Sequence, residues 1–131
     1  MSTFKSTATV NKPINEVYSF LTDMNNHQQL MPDGVTEWSS TADNASFMVQ
    51  GMLKLSLKIE DKTENKTIRI IPAEKPPFDL ELKWELSSAA NQTIINYTIS
   101  ADLNMMMKMM ASGPLQKLAD HEVQVLSKIL A

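Results

Sequence analysis

Between residues 47 and 103 apolar side chains recur at every second position, and this alternation limits the fold more than any other feature of the chain. The segment FDLELKWEL is its cleanest stretch: Phe78, Leu80, Leu82, Trp84 and Leu86 face one way, and Asp79, Glu81, Lys83 and Glu85 the other. Leu55, Leu57 and Ile59 alternate with Ser56, Lys58 and Glu60, and Ile95, Tyr97, Ile99, Ala101 and Leu103 share one face of a last strand over residues 93–103. A period of two over several segments predicts antiparallel strands with one dry and one wet face. Turn residues punctuate the pattern at Pro32-Asp33-Gly34, Glu64-Asn65-Lys66, Pro72, Pro76-Pro77 and Ala89-Ala90-Asn91, and Gly51 marks a tight turn or bulge.

The dry face of such a sheet must be covered. Two helical patterns are available. Ile14, Val17, Tyr18 and Leu21 form a short one, with Pro13 in its first turn and Asn11 as a candidate cap. A second short helix follows from Thr22-Asp23 toward Leu30-Met31. The longer pattern is C-terminal, where Leu115, Leu118, Ala119, Val123, Leu126, Ile129 and Leu130 form a stripe of helical period. Asp102 and Asn104 read as a strand end and a helix cap, and Gly113-Pro114 predicts a kink or a fresh helix start. With a first strand over residues 4–10, the expected fold class is α+β: a curved antiparallel sheet wrapped around a long C-terminal helix, with two short helices after the first strand. At 131 residues the chain is expected to form one domain, 1–131.

Ten methionines occur, five of them within residues 105–110. Methionine is unbranched and polarizable, so a cluster makes an apolar surface that can reshape itself. It suits a cavity for varied apolar ligands, with core filling as the alternative. Residues after Pro114 have defined rotamers and predict a sealed core; those before it predict a pocket mouth. A long helix cannot touch a strongly curved sheet everywhere, so an internal void is expected between them. Leu57, Leu82, Trp84, Tyr97, Ile99, Met106 and Met110 are the expected lining.

Glu122 is the one charge on the C-terminal stripe. At the edge of the stripe it would reach water, the commoner arrangement. Facing the sheet, it would be desolvated, its pKa would rise, and it would become a candidate polar anchor or proton donor. The two histidines give no metal-ligand spacing: His27 lies in a polar run and is expected to be exposed, and His121 stands between Asp120 and Glu122 on different helix faces. No Gly-x-Ser-x-Gly elbow or glycine-rich phosphate loop occurs, with only three glycines in the chain. Neither a catalytic residue nor a metal or cofactor site is assigned.

A net charge of -3 with dispersed lysines argues against nucleic acid as partner. The absence of cysteine excludes disulfides and thiolate chemistry, and no apolar run is long enough for stable membrane insertion. The expected location is cytoplasmic, and the sheet edges make a homodimer a candidate assembly.

The order of elements, together with the stretch NKPINEVYSFLTDMNNHQQLMPDGV, resembles the START-like (SRPBCC) superfamily, the helix-grip fold of the birch pollen allergens. The resemblance covers essentially the whole chain. It implies a cavity between helix and sheet for a small hydrophobic or amphipathic ligand such as a lipid, sterol or polyketide. It also implies two alternatives. One is a cyclase/dehydratase-type enzyme using Glu122, Asp102 or Tyr97 as acid or base; the other is a protein-interaction module resembling a chaperone cofactor.

Overall fold

The computed structural model describes residues 2–49, 51, 53–75 and 78–130. The Pro76-Pro77 pair lies outside the described residues. The elements run β1 (Ser2–Val10), α1 (Ile14–Leu21), α2 (Met24–His27) with a 3-10 turn at Gln28–Leu30, β2 (Val35–Ser40), β3 (Asn44–Val49), β4 (Leu53–Thr63), β5 (Thr67–Pro72), β6 (Leu80–Ala89), β7 (Gln92–Ala101) and α3 (Met105–Ile129). The strands form one antiparallel sheet in the order β1-β7-β6-β5-β4-β3-β2. β1 crosses to pair with the last strand, so β1 and β2 form its edges. The predicted α+β helix-grip architecture is the observed one.

Local chemistry explains the breaks. Asn65 and Ala90 adopt left-handed backbone (φ 57° and 56°) in the β4–β5 and β6–β7 turns, and Gly51 does so at φ 67°. Asp23 caps α2 by accepting a hydrogen bond from the Asn25 amide. Asn104 caps α3, its Oδ1 accepting from the Met107 amide at 2.9 Å. Asn11 caps nothing: Pro13 occupies the α1 N-cap position, and the Asn11 side chain instead accepts from Gln92 Nε2. The last strand stops at Ala101, two residues short of the expected end, although the Asp102 amide still donates to the Asp79 carbonyl at 2.9 Å.

One face of the sheet holds the core. Ile68, Ile70, Trp84, Ile95, Tyr97 and Ile99 are fully enclosed there. α1 and α2 close one end of this face with Val17, Leu21 and Met24. α3 lies along β1 and is tied to it where Gln116 Nε2 donates to the Lys5 carbonyl at 3.1 Å. Lys5 stands opposite Thr98 on β7, which sets the middle of α3 over the segment between Tyr97 and Ile99. Two expectations are corrected. α3 is uninterrupted through Pro114, so no fresh helix begins there. His27 is buried, at 2% exposure, because Met24, His27 and Leu30 share the inward face while the surrounding polar residues face out.

Candidate functional site

Three elements carry the same sequence of environments in parallel. On β6 and the residues before it, Phe78, Leu80, Leu82 and Trp84 follow one another on the inner face. On β7 and the residues after it, the matching series is Leu103, Ala101, Ile99 and Tyr97. The register joins them, pairing Leu80 with Ala101, Leu82 with Ile99 and Trp84 with Tyr97. On α3, Met107, Ala111, Leu115, Leu118 and Glu122 fall on one stripe. From Phe78 to Trp84 is roughly 20 Å at strand rise. From Met107 to Glu122 is roughly 22 Å at helix rise. The two lengths agree, so the helix stripe runs beside the two strand series from one end to the other.

One end is open. Lys75, Phe78, Asp79, Asp102, Leu103, Asn104 and Met107 surround a surface cleft of about 440 Å³ at the start of α3. The middle is apolar and narrow. Phe47, Leu55, Leu57, Leu80, Leu82 and Ile99 of the sheet face Leu115 and Leu118 of α3 across a cleft of about 10 Å³. That is close to the space of one water molecule, and its walls offer that water no partner. The expected void under α3 is therefore nearly closed at this point, because Leu115 and Leu118 reach the sheet.

The other end is polar and sealed. Glu122 is 1% exposed, so it faces the sheet rather than the water. Trp84 and Tyr97 stack with ring centroids 3.8 Å apart and planes at 16°. His27 meets Trp84 edge-on at 6.1 Å and 77°. The His27 ring is committed: its Nε2 donates to the Leu21 carbonyl at 2.8 Å, and burial lowers its pKa so that it stays neutral. Burial also pushes the Glu122 pKa up to about 8, with the Tyr97 hydroxyl pulling it partly back. The Tyr97 hydroxyl is itself raised well above the ordinary tyrosine value, by burial first and by Glu122 second. The Tyr97 hydroxyl and the Glu122 carboxyl lie close enough to act on one another through a side-chain hydrogen bond, although the contact misses ideal geometry, and Trp84 Nε1 is buried without a partner among the described residues.

The expected lining is thus divided among three places. Leu57, Leu82 and Ile99 line the narrow cleft. Trp84, Tyr97 and Glu122 are buried in the core beyond it and do not line it. Met106 and Met110 do not face it: they are 71% and 60% exposed, and Met105 and Met109 are 82% and 85% exposed. Met107 is the methionine that turns inward. Asp102 stands at the open end, away from Glu122, so the two carboxylates do not act on one point. Sequence reasoning missed Met107 and His27. Stepping back from Glu122 by helical intervals through Leu118, Leu115 and Ala111 reaches Met107, so that signal was present. Among the described residues no group of three histidine or acidic side chains is placed to hold a metal, and no helix is long and apolar enough to cross a membrane.

The architecture is the helix-grip fold. Solved structures share it over nearly the whole chain. A protein named KanY is similar with a TM-score of 0.81 at 12% identity, covering 98% of this chain and 97% of its own. A START superfamily protein from Mycobacterium smegmatis is similar with a TM-score of 0.69 at 15% identity, covering 98% and 96%. The Aha1 dimer from Colwellia psychrerythraea is similar with a TM-score of 0.69 at 16% identity, covering 99% and 96%. No protein-family profile matches the sequence, and no functionally described protein matches it either. The likeness is one of fold.

Proposed function

We propose that this domain binds a small apolar or amphipathic molecule in the tract between α3 and the sheet. The observation that carries this reading is the parallel succession on β6, β7 and α3 from an open end, through an apolar middle, to a polar end. In the described conformation the middle is nearly closed by Leu115 and Leu118, so a ligand enters at the open end, where the first half of α3 is lightly held, and passes further only as these two leucines give way. A ligand then selects the open conformation by its stronger contacts there. The exposed methionines flank the open end and supply an adaptable apolar surface for the arriving molecule. Burying ~200 Å² of ligand contributes on the order of 5 kcal/mol before the costs of association, which suits modest and tolerant binding.

The test is uptake of a fluorescent apolar dye, with native mass spectrometry of the freshly purified protein to detect a co-purified molecule. Saturable uptake is expected, increased by Leu118→Ala, which widens the cleft, and blocked by Met107→Trp, which fills the open end. Uptake that does not saturate, or that ignores both substitutions in folded protein, contradicts the reading.

One observation favours a second reading, an acid–base enzyme of the cyclase/dehydratase kind. Glu122 keeps its proton near neutral pH, as a general acid must, and Tyr97 stands beside it. Turnover of a polyketide-like substrate that is abolished by Glu122→Gln, with binding retained, would establish it. The exposed methionines also fit a protein-interaction module, and the free edges β1 and β2 fit a homodimer. Gel filtration with mass measurement separates these from the monomeric ligand-binding protein.

A further inference from the structure

We propose that Met105, Met106, Met109 and Met110 form a thioether site for one soft monovalent cation, Cu(I) or its analogue Ag(I), on the solvent face of α3. The site lies outside the tract beneath the helix and needs no ligand there.

These four side chains differ from the rest of the surface. Each is at least 60% exposed, and the only other large apolar side chain so placed among the described residues is Ile129, at 40%. Elsewhere the fold keeps such groups inside, and even within this turn and a half Met107 packs partly against the core. An apolar docking surface would need no sulfur, since leucine is as good a helix former and is fully apolar. Sulfur is what all four positions share, and the chain has no cysteine whose thiolate would compete for a soft ion.

Helix geometry brings the sulfurs together. α3 is α-helical from Met105 onward, and Asn104 fixes its first turn. At about 100° of rotation per residue, Met106 and Met109 are neighbours on the outer face, with Met105 beside Met109 and Met110 beside Met106. Residues three and four apart have Cβ atoms roughly 5–6 Å from one another. A methionine sulfur lies two bonds beyond Cβ on a freely rotating chain. Three sulfurs therefore reach a single point above the Met106–Met109 edge, with Met105 or Met110 as the third donor. Lys108 is the one charged residue among residues 105–110, and it projects about 100° around the helix from Met109, on the side away from Met106 and Met110.

The donor type selects the ion. A thioether is uncharged and soft, and soft sulfur donors favour Cu(I) over hard cations. Zn(II) takes thiolate, imidazole or carboxylate, and Mg(II) and Ca(II) take oxygen. The Asn104 side-chain oxygen is committed to the Met107 amide and offers them nothing. A thioether also carries no proton near neutral pH, so a cation does not compete with protons there, as it does at imidazole or amine ligands.

The test is an anaerobic titration of the full chain with silver nitrate, and with Cu(I) supplied from a competing chelator. Native mass spectrometry reads the stoichiometry, and NMR of the methionine methyl groups reads the location. One ion per chain is expected, shifting the methyls of Met105, Met106, Met109 and Met110 but not those of the buried Met24 or the half-buried Met48. The double variant Met106→Leu, Met109→Leu keeps the apolar surface and removes two sulfurs. It is expected to melt like the parent and to bind at least ~10-fold more weakly, the low end of what even outer-shell changes cost a metal site. Met48→Leu is expected to bind like the parent. Affinity is expected to be the same at pH ~5 as at pH ~7, and Zn(II) should move none of the four methyls. Absence of binding, undiminished affinity in the double variant, loss of binding at the lower pH, or an equal response to Zn(II) overturns the thioether site. Each of those results leaves the ligand-binding reading standing, because dye uptake is measured without metal.

Discussion

The two halves of α3 belong to one helix and are held very differently. From Leu115 onward the helix buries Leu115, Leu118, Ala119, Glu122, Val123 and Leu126. Before Pro114 its contact with the core is limited to the partly buried Met107 and Ala111, and four methionines face the water. Helical stability in proteins comes mainly from tertiary packing of one face, so the second half is anchored and the first is not. The junction is weak as well. Pro114 cannot donate its backbone hydrogen bond, and Gly113 has a high entropic cost within a helix. The fold therefore places a firmly packed half over the polar end of the tract and a lightly held half over its open end, where a ligand would pass.

The contrast between the halves is most easily broken by truncation. Leu126→Ala, in the packed half, is expected to destabilise the domain by about 2–5 kcal/mol in denaturant unfolding. A loss below ~1 kcal/mol would mean that the packed half is not the anchor. Next in size is the pH dependence of the buried end. Glu122 has a pKa of about 8 in the fold against an ordinary value of 4.5. The folded state thus holds a proton that the unfolded state has released, and stability should fall as pH rises from about 4.5 to about 8. The span is on the order of a few kcal/mol, and Glu122→Gln should flatten it and raise the melting temperature at pH ~8. His27 acts in the opposite sense. Its pKa is lowered in the fold, so stability is lost as pH falls below the ordinary histidine value of 6.5, and His27→Gln should remove that acid limb.

Smaller effects sharpen the comparison at the junction. A Cβ on Gly113 would meet nothing within 4 Å, so Gly113→Ala should stabilise α3 by about 0.5–1 kcal/mol. It should also slow dye uptake, because a firmer junction opens less often. The smallest effect belongs to the outer methionines. Met109→Ala should change stability by less than ~0.5 kcal/mol, in contrast to the leucines of the other half.

Much of this arrangement is legible in the sequence. The alternation through FDLELKWEL and residues 93–103 predicts both strands and the face each side chain takes. The stripe from Leu115 to Leu130 predicts the packed half of α3. The methionine orientation was legible only by extending the stripe: composition does not say which one turns inward, but helical intervals back from Glu122 through Leu118, Leu115 and Ala111 end on Met107. His27 was misread for a related reason: its neighbours are polar, but burial follows the helical spacing from Met24 and Leu30. The meeting of Trp84, Tyr97 and Glu122 needs the β6–β7 register and the placement of α3 by Gln116 and Lys5, which no local pattern contains. Nor does sequence reveal how closely Leu115 and Leu118 approach the sheet, since side-chain volume alone does not set the distance between layers.

Amide hydrogen exchange along α3 tests the difference between its halves most directly. Amides at residues 109–113 should exchange at least ~100-fold faster than those at 118–126, since local opening is cheap where few apolar contacts hold the backbone. Saturation with an apolar ligand should narrow that gap by protecting the first half. Uniform protection along the whole helix, unchanged by ligand, would contradict a domain that admits its ligand beneath the lightly held half of α3.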